Sequence, residues 1–259
     1  MREYSKILSF CLVFVATSSL CAQQFKVLLF TSPDRWHNQT IPVAVKQFRK
    51  LADKHDFNLV WEQSNGNIKN VFTDKYLSQV DVIVFLHSRG YNLSEEQMDS
   101  FKKFIRSGGG FVGIHAVSAN KKQELWFKQL VGRQFIDHPE KQTAVISIED
   151  KTHPSTIHLN EKWIWTDEWY SYGEPLTGNL HLLLKVDEKT YNPNKTWGDN
   201  TRFTAMGNFH PIAWYQDFDG GRSFYTTLGH IPEAYNDPWF LAHIYGGIYW
   251  AATGLGIEK

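Results

Sequence analysis

Apolar runs and helical stripes alternate through the first half of the chain. Lys26 to Phe30 is apolar after its first residue and shows no alternation, the pattern of a strand covered on both faces. After a polar loop, Thr40 stands where an N-cap belongs, ahead of Ile41, Ala44, Val45, Phe48, Leu51 and Ala52 at helical spacing. Phe57–Trp61 reads as a second strand, Asn65-Gly66 as a turn and Val80–Leu86 as a third strand. Ser94 followed by Gln97 makes a capping box for a helix that buries Phe101, Phe104 and Ile105. Glycines 108–110 stop that helix and lead into the strand Phe111–Ile114. Strands separated by helices of this length predict a parallel, doubly wound sheet.

Beyond about Gln142 the rhythm changes. Val145–Ile148, His181–Val186, Ile212–Tyr215 and Phe224–Leu228 have strand character, with long polar loops between them instead of helices. Asp237 as cap and Pro238 at the first helical position open a last helix, whose apolar stripe is Phe240, Leu241, Ile244, Tyr245, Ile248 and Tyr249. No linker or internal repeat interrupts the chain. The expected architecture is one α/β domain over residues 23–259, doubly wound and mostly parallel, with an elaborated β-rich second half.

Residues 1–22 follow a different logic. Arg2 and Lys6 precede an apolar run, Ile7 to Leu20, too short to span a bilayer comfortably, and Leu20-Cys21-Ala22 closes it. This reads as a secretory signal peptide cut after Ala22, so the expected location is periplasmic or extracellular, with no membrane span. Cleavage removes Arg2, Lys6 and Glu3, leaving 25 basic and 26 acidic residues of the original 27 and 27. That balance excludes a basic nucleic-acid binder. Cleavage also removes Cys11 and Cys21, the only cysteines of the chain. The mature protein therefore has no disulfide, no thiol nucleophile and no Cys-ligated zinc.

Open parallel sheets bind ligands at the carboxyl ends of their strands. Three histidines fall there: His37 in the loop after the first strand, His87 after the third and His115 after the fourth. Imidazole is both the commonest metal ligand and the commonest acid or base near neutral pH, so a convergent set outweighs any single member. Asp167-Glu168 lies between aromatics, where a charge is costly unless paired or metal-bound. Strand alternation lets one of the two reach a site, and Glu168 is preferred. Among ten tryptophans, Trp36, Trp126, Trp165, Trp169 and Trp239 are candidate platforms for sugar rings, although packing is the commoner use of the residue. His243 shares a helix stripe with Trp239, Gly246 and Trp250, where packing is again the simpler reading.

The stretch Gly108 to Ala116, with Trp126–Gly132, Phe135–Pro139, His153-Pro154, Asp167–Tyr170, Pro211–Trp214, Gly221–Thr226, Leu228–His230 and Gly247–Ala251, resembles the trehalose-utilisation (ThuA-like) family, whose fold is similar to class I glutamine amidotransferases. The resemblance covers nearly the whole mature chain. Where an amidotransferase carries its nucleophilic Cys, this chain has His115, so glutaminase chemistry through a thioester is excluded. The first loop departs from the family's aromatic-Arg-His order, reading Asp34-Arg35-Trp36-His37.

The resemblance implies disaccharide catabolism, particularly of sugars oxidised at C3, and a bound divalent metal. On that basis the expected activity is a metal-assisted lyase or hydrolase for 3-keto-glycosides. The expected metal ligands are His115, His138 and His230, and the expected catalytic residues are His115, Glu168 and His37. Arg35, Trp36, His87, Trp169 and His210 are the expected contacts to a small carbohydrate substrate. A His-rich set favours zinc or another transition metal, and a carboxylate-rich one calcium or magnesium. A non-catalytic carbohydrate-binding protein is the alternative. A hydrolase of unmodified glycosides needs two opposed carboxylates, which the adjacent pair Asp167-Glu168 serves poorly.

Overall fold

The computed structural model describes residues 23–65, 68–89, 93–119, 122–194 and 205–256. The expected signal peptide and Gly66 of the expected turn lie outside them. Eleven strands are present among the described residues: β1 (Lys26–Thr31), β2 (Asn58–Gln63), β3 (Val82–Leu86), β4 (Gly110–Ile114), β5 (Phe135–Asp137), β6 (Gln142–Ile148), β7 (Lys162–Asp167), β8 (Ser171–Tyr172), β9 (His181–Asp187), β10 (Pro211–Phe218) and β11 (Gly221–Thr226). The helices are α1 (Thr40–His55), α2 (Ile68–Val71), α3 (Asp74–Leu77), α4 (Glu95–Arg106), α5 (Leu125–Val131) and α6 (Pro238–Thr253).

Nine strands form one sheet in the order β2-β1-β3-β4-β11-β10-β9-β6-β7, and β5 pairs with β8 apart from it. The first five are parallel. From β11 onward every pairing is antiparallel, so β9 and β7 again point with the parallel core. Seven of the nine strands thus end at one edge. Alternate residues of the core strands enter two separate clusters. Val27, Leu29, Val82 and Val84 pack on α1 and α6, whereas Leu28, Phe30, Ile83 and Phe85 pack on α4 and α5. Apolar residues on both faces of one strand are what a doubly wound sheet requires, and they account for the unbroken apolar runs.

The second half differs from expectation in one connection. β10 and β11 are joined not by a long loop but by a two-residue turn, with Phe218 paired to Gly221. Asp219 and Gly220 supply the positive φ angles, 48° and 91°, that such a hairpin turn needs.

The sheet also bends. Four strand spacings separate β11 from β7, about 19 Å in a flat sheet. Yet Asp167, at the end of β7, accepts hydrogen bonds from the backbone of Gly229 (2.8 Å) and His230 (3.2 Å), just past β11. The antiparallel wing therefore curls back over the carboxyl edge of the parallel core. On the other side of this junction Thr40 Oγ1 donates to the His230 carbonyl (2.8 Å). Thr40 is consequently the first residue of α1 rather than its cap, because its hydroxyl is committed to that loop; Gln39 occupies the cap position without a side-chain hydrogen bond. The caps expected at Ser94 and Asp237 are present.

Candidate active site

His87 and His115 directly follow β3 and β4, and both adopt left-handed backbone, with φ 51° and 58°. A non-glycine residue there costs roughly 1–3 kcal/mol and persists only where its surroundings hold it. Tyr225 does so for His115 by donating its hydroxyl to the His115 carbonyl (2.6 Å). Tyr225 fits because position 113 is glycine; a Cβ there would come within 3.0 Å of the ring. His37 stacks on His87 at 4.6 Å between centroids, and His115 stands edge-on to both at 5.3 Å. His230 lies 5.0 Å from His115. The imidazoles that the strand ends assign to one edge meet there.

Hydrogen bonds on the outer side of two of these rings, His37 and His115, fix their tautomers. His37 Nδ1 donates to Asp34 Oδ1 (2.8 Å), and Asp34 is held in turn by the backbone N–H groups of Trp36 and His37. His115 Nδ1 donates to the Thr227 carbonyl (2.6 Å). Its Nε2 therefore faces inward, 3.1 Å from His230 Nδ1, 2.8 Å from the Tyr170 hydroxyl and 3.5 Å from Glu168 Oε2. Nitrogens of His37, His115 and His230 all lie within 4.8 Å of one another. Three imidazoles, two with their far N–H locked on a carboxylate or a carbonyl, make the pattern that orients histidine ligands around a transition metal. The cluster could hold such an ion. His138 stands outside it, contrary to the expected ligand set. Its Nδ1 donates to the Pro139 carbonyl (2.8 Å), and its Nε2 faces Glu168 Oε2 at 3.6 Å.

Glu168 stands among these rings, with Oε1 3.3 Å from His230 Nε2. Burial pushes its carboxyl up, but the hydrogen bond and charge of His115, with His138 and His230, hold it at about 2. Burial pushes the His115 imidazole down, and Glu168, Asp167 and the Thr227 carbonyl outweigh this, so it is raised. Burial and the neighbouring His115 charge take His230 to about 3 despite Glu168, and burial lowers His37 against the pull of Asp34. The ion-free centre thus favours the charged forms of His115 and Glu168 and the neutral forms of His230 and His37. Burial and the Glu168 charge push the Tyr170 hydroxyl well above its ordinary range, so it keeps its proton.

Asp167 performs a different task from its neighbour. It is fully buried and accepts four N–H groups, from Gly229, His230, Glu168 (2.9 Å) and Trp165 Nε1 (3.0 Å). The clamp fixes Glu168 and His230 face to face. Gly229 makes it feasible: its φ is 104°, and a Cβ would meet the Tyr235 hydroxyl and the Phe240 ring at 2.8 Å.

A cavity of about 500 Å³ opens above this centre, with Glu168, His37 and His230 at its base and Arg35, Trp36, Phe135 and Tyr170 among its walls. Trp36 remains 56% exposed. Three expected substrate contacts are not on that wall. His87 is fully buried beneath His37. Trp169 is fully buried in the core, with Nε1 donating to the Gln142 carbonyl. His210 is fully buried between Glu188 and the Tyr170 carbonyl, 2.8 Å from each. Trp126 binds Asp219, Trp165 packs on Phe240 and Trp239 stacks on His158, so none is a platform here. Large aromatic area is worth more against the core than at a rim. His243 is likewise structural, donating Nδ1 to the Ser155 carbonyl. A second cavity of about 500 Å³ lies at the opposite, amino edge beside Asp81 and Gly109, and its lining contains no histidine.

Two residues of the centre were not singled out by sequence reasoning, Asp34 and Tyr170. Their signals are positional: Asp34 is three residues before His37, within reach of its ring, and Tyr170 is two after Glu168, the spacing that puts side chains on one side of an extended chain.

Residues 26–251 match the family profile described as ThuA, trehalose utilisation. The chain belongs to the ThuA family. That membership places it in carbohydrate metabolism. Two solved ThuA-like proteins share its fold: one from Bacteroides uniformis ATCC 8492, 24% identical over 89% of this chain and 92% of that one with a TM-score of 0.74, and one from Parabacteroides merdae ATCC 43184, 22% identical over 91% and 92% with a TM-score of 0.70. The α-L-fucosidase isoenzyme 2 of Paenibacillus thiaminolyticus is 10% identical, with a TM-score of 0.53 over 88% of this chain and 33% of its own; the likeness is one of fold. No protein with a curated description matches. Among the described residues, no helix is long and apolar enough to cross a membrane.

Proposed function

We propose that this ThuA-family protein is a metal-dependent lyase or hydrolase acting on glycosides oxidised to a ketone at C3. The observation that carries the reading is Glu168, whose carboxylate lies 3.3–3.6 Å from His115, His138 and His230 at the base of a cavity. An ionised carboxylate beside these imidazoles stabilises the positive charge that one of them acquires when it takes a proton. A transition-metal ion held by His37, His115 and His230 would supply Lewis-acid polarisation of the ketone.

A ketone at C3 makes the C2 proton acidic. His138 donates through Nδ1 to Pro139, which leaves Nε2 as the atom that takes that proton. The C1=C2 double bond forms as the C1–O bond breaks, and His138 returns the proton to the departing oxygen, which leaves as an alcohol. Addition of water across the same double bond completes hydrolysis. Glu168, whose carboxyl is lowered by His115, His138 and His230, balances the charge on His138 while the proton is there. Tyr170 and Thr227 keep His115 Nε2 directed at the reaction site. Purified protein loaded with zinc or manganese should convert a 3-keto-disaccharide, and a chelator should stop it. No conversion by the metal-loaded form would remove the proposal.

A further inference from the structure

The outer wall of the cavity carries two guanidinium groups, Arg35 and Arg89. Among the described residues neither is held in a hydrogen-bonded ion pair. Arg89 Nη1 is 4.0 Å from Asp34 Oδ2, beyond hydrogen-bond reach, and Asp34 directs its other oxygen to His37. Arg35 lies 4.4 Å over the Trp36 ring. The indole is still 56% exposed, which leaves it apolar surface for a sugar ring. The acids of the same cavity are already engaged: Asp137 accepts the N–H of His138 (2.9 Å), and Glu168 is surrounded by imidazoles.

We propose that the cavity takes a sugar carrying an anionic substituent, a carboxylate or a phosphate, bound by Arg35 and Arg89 while the ring packs against the exposed part of Trp36. The inference rests on the reading of this cavity as a sugar site. A guanidinium presents a planar fork that matches both oxyanions bidentately, and two at one mouth draw anions in before contact.

Titration calorimetry with glucuronate, glucose 6-phosphate and glucose tests it. At least one anionic sugar should bind the wild-type protein tenfold or more tighter than glucose, and the tighter of the two identifies the substituent. The advantage should shrink at 0.5 M salt, vanish in R35A/R89A and survive in part in R35K/R89K. Both arginines are exposed, and unchanged melting temperature and metal content would show that the variants are folded. Equal affinity for all three sugars, no binding of either anion, or a preference that R35A/R89A retains would overturn the proposal. Binding is read without turnover, so inactivity on 3-keto-glycosides leaves this result interpretable. Turnover of neutral 3-keto-glycosides without any anion preference removes only the anionic substituent.

Discussion

The Tyr170 hydroxyl and His115 Nε2 are 2.8 Å apart in a fully buried contact. Because His115 Nδ1 is committed to the Thr227 carbonyl, Nε2 is the atom that ring presents to the centre, and Tyr170 orients it. Y170F should fold, with a stability loss of about 0.5–1.5 kcal/mol for the lost hydrogen bond, and should lose roughly 10–100-fold in turnover. Denaturant unfolding and rates on one preparation check both. Unchanged turnover would show that the contact is structural only.

The position of His138 separates two ligand sets. With His37, His115 and His230 as ligands, H37A and H230A should lose stoichiometric metal in elemental analysis, while H138A keeps it and loses turnover. Retention of metal by H37A together with its loss in H138A would instead support the set His115, His138 and His230.

Asp34 fixes the His37 tautomer from behind. Removing the charge of such an outer partner lowers metal affinity by about 10–100-fold. D34N should show that weakening in competition with a chromogenic chelator, with little change in melting temperature, since Asp34 is half-buried in a loop.

Asp167 should matter for stability more than any other acid described. D167N replaces an acceptor of four N–H groups with an amide whose NH2 opposes some of them. Hydrogen bonds to charged groups are worth about 1.5–3 kcal/mol each, so a loss of about 3 kcal/mol in urea unfolding is expected. An unchanged midpoint would mean that the curl of the antiparallel wing does not depend on this clamp.

Acid should destabilise the fold partly through His153 and His243, which burial lowers to about 4 and about 3. Each binds its proton in the unfolded chain below about pH 6.5 but resists it when folded. Their contribution is therefore fully present above pH 6.5 and is lost as pH falls through the folded values. One such group gives a slope of about 1.4 kcal/mol per pH unit within that window. H243N should flatten the stability curve between pH 6 and 4 by about that slope; an unaltered curve would place the acid sensitivity elsewhere.

Hydrophobic periodicity, together with cap residues, determined the strand–helix alternation of the first half, the capping box at Ser94 and the last helix from Pro238. It also put His37, His87 and His115 at one edge, because strand ends in a parallel sheet share a direction whatever the packing around them. The single carboxylate of Asp167-Glu168 that faces the centre followed from the two-residue period of an extended chain. Which distant segments complete that edge is not a local property. A strand pattern says which side chains share a face but not how far the sheet curls, and only the curl brings the end of β7 to the loop after β11, setting Glu168 beside His115 and His230. The same non-local packing buries Trp169 and His210 behind the cavity, leaves Trp36 at its mouth, and puts His37 rather than His138 in the imidazole triad. Tertiary structure decided these points because each depends on which surfaces exclude water from one another, and residues far apart in the chain supply those surfaces.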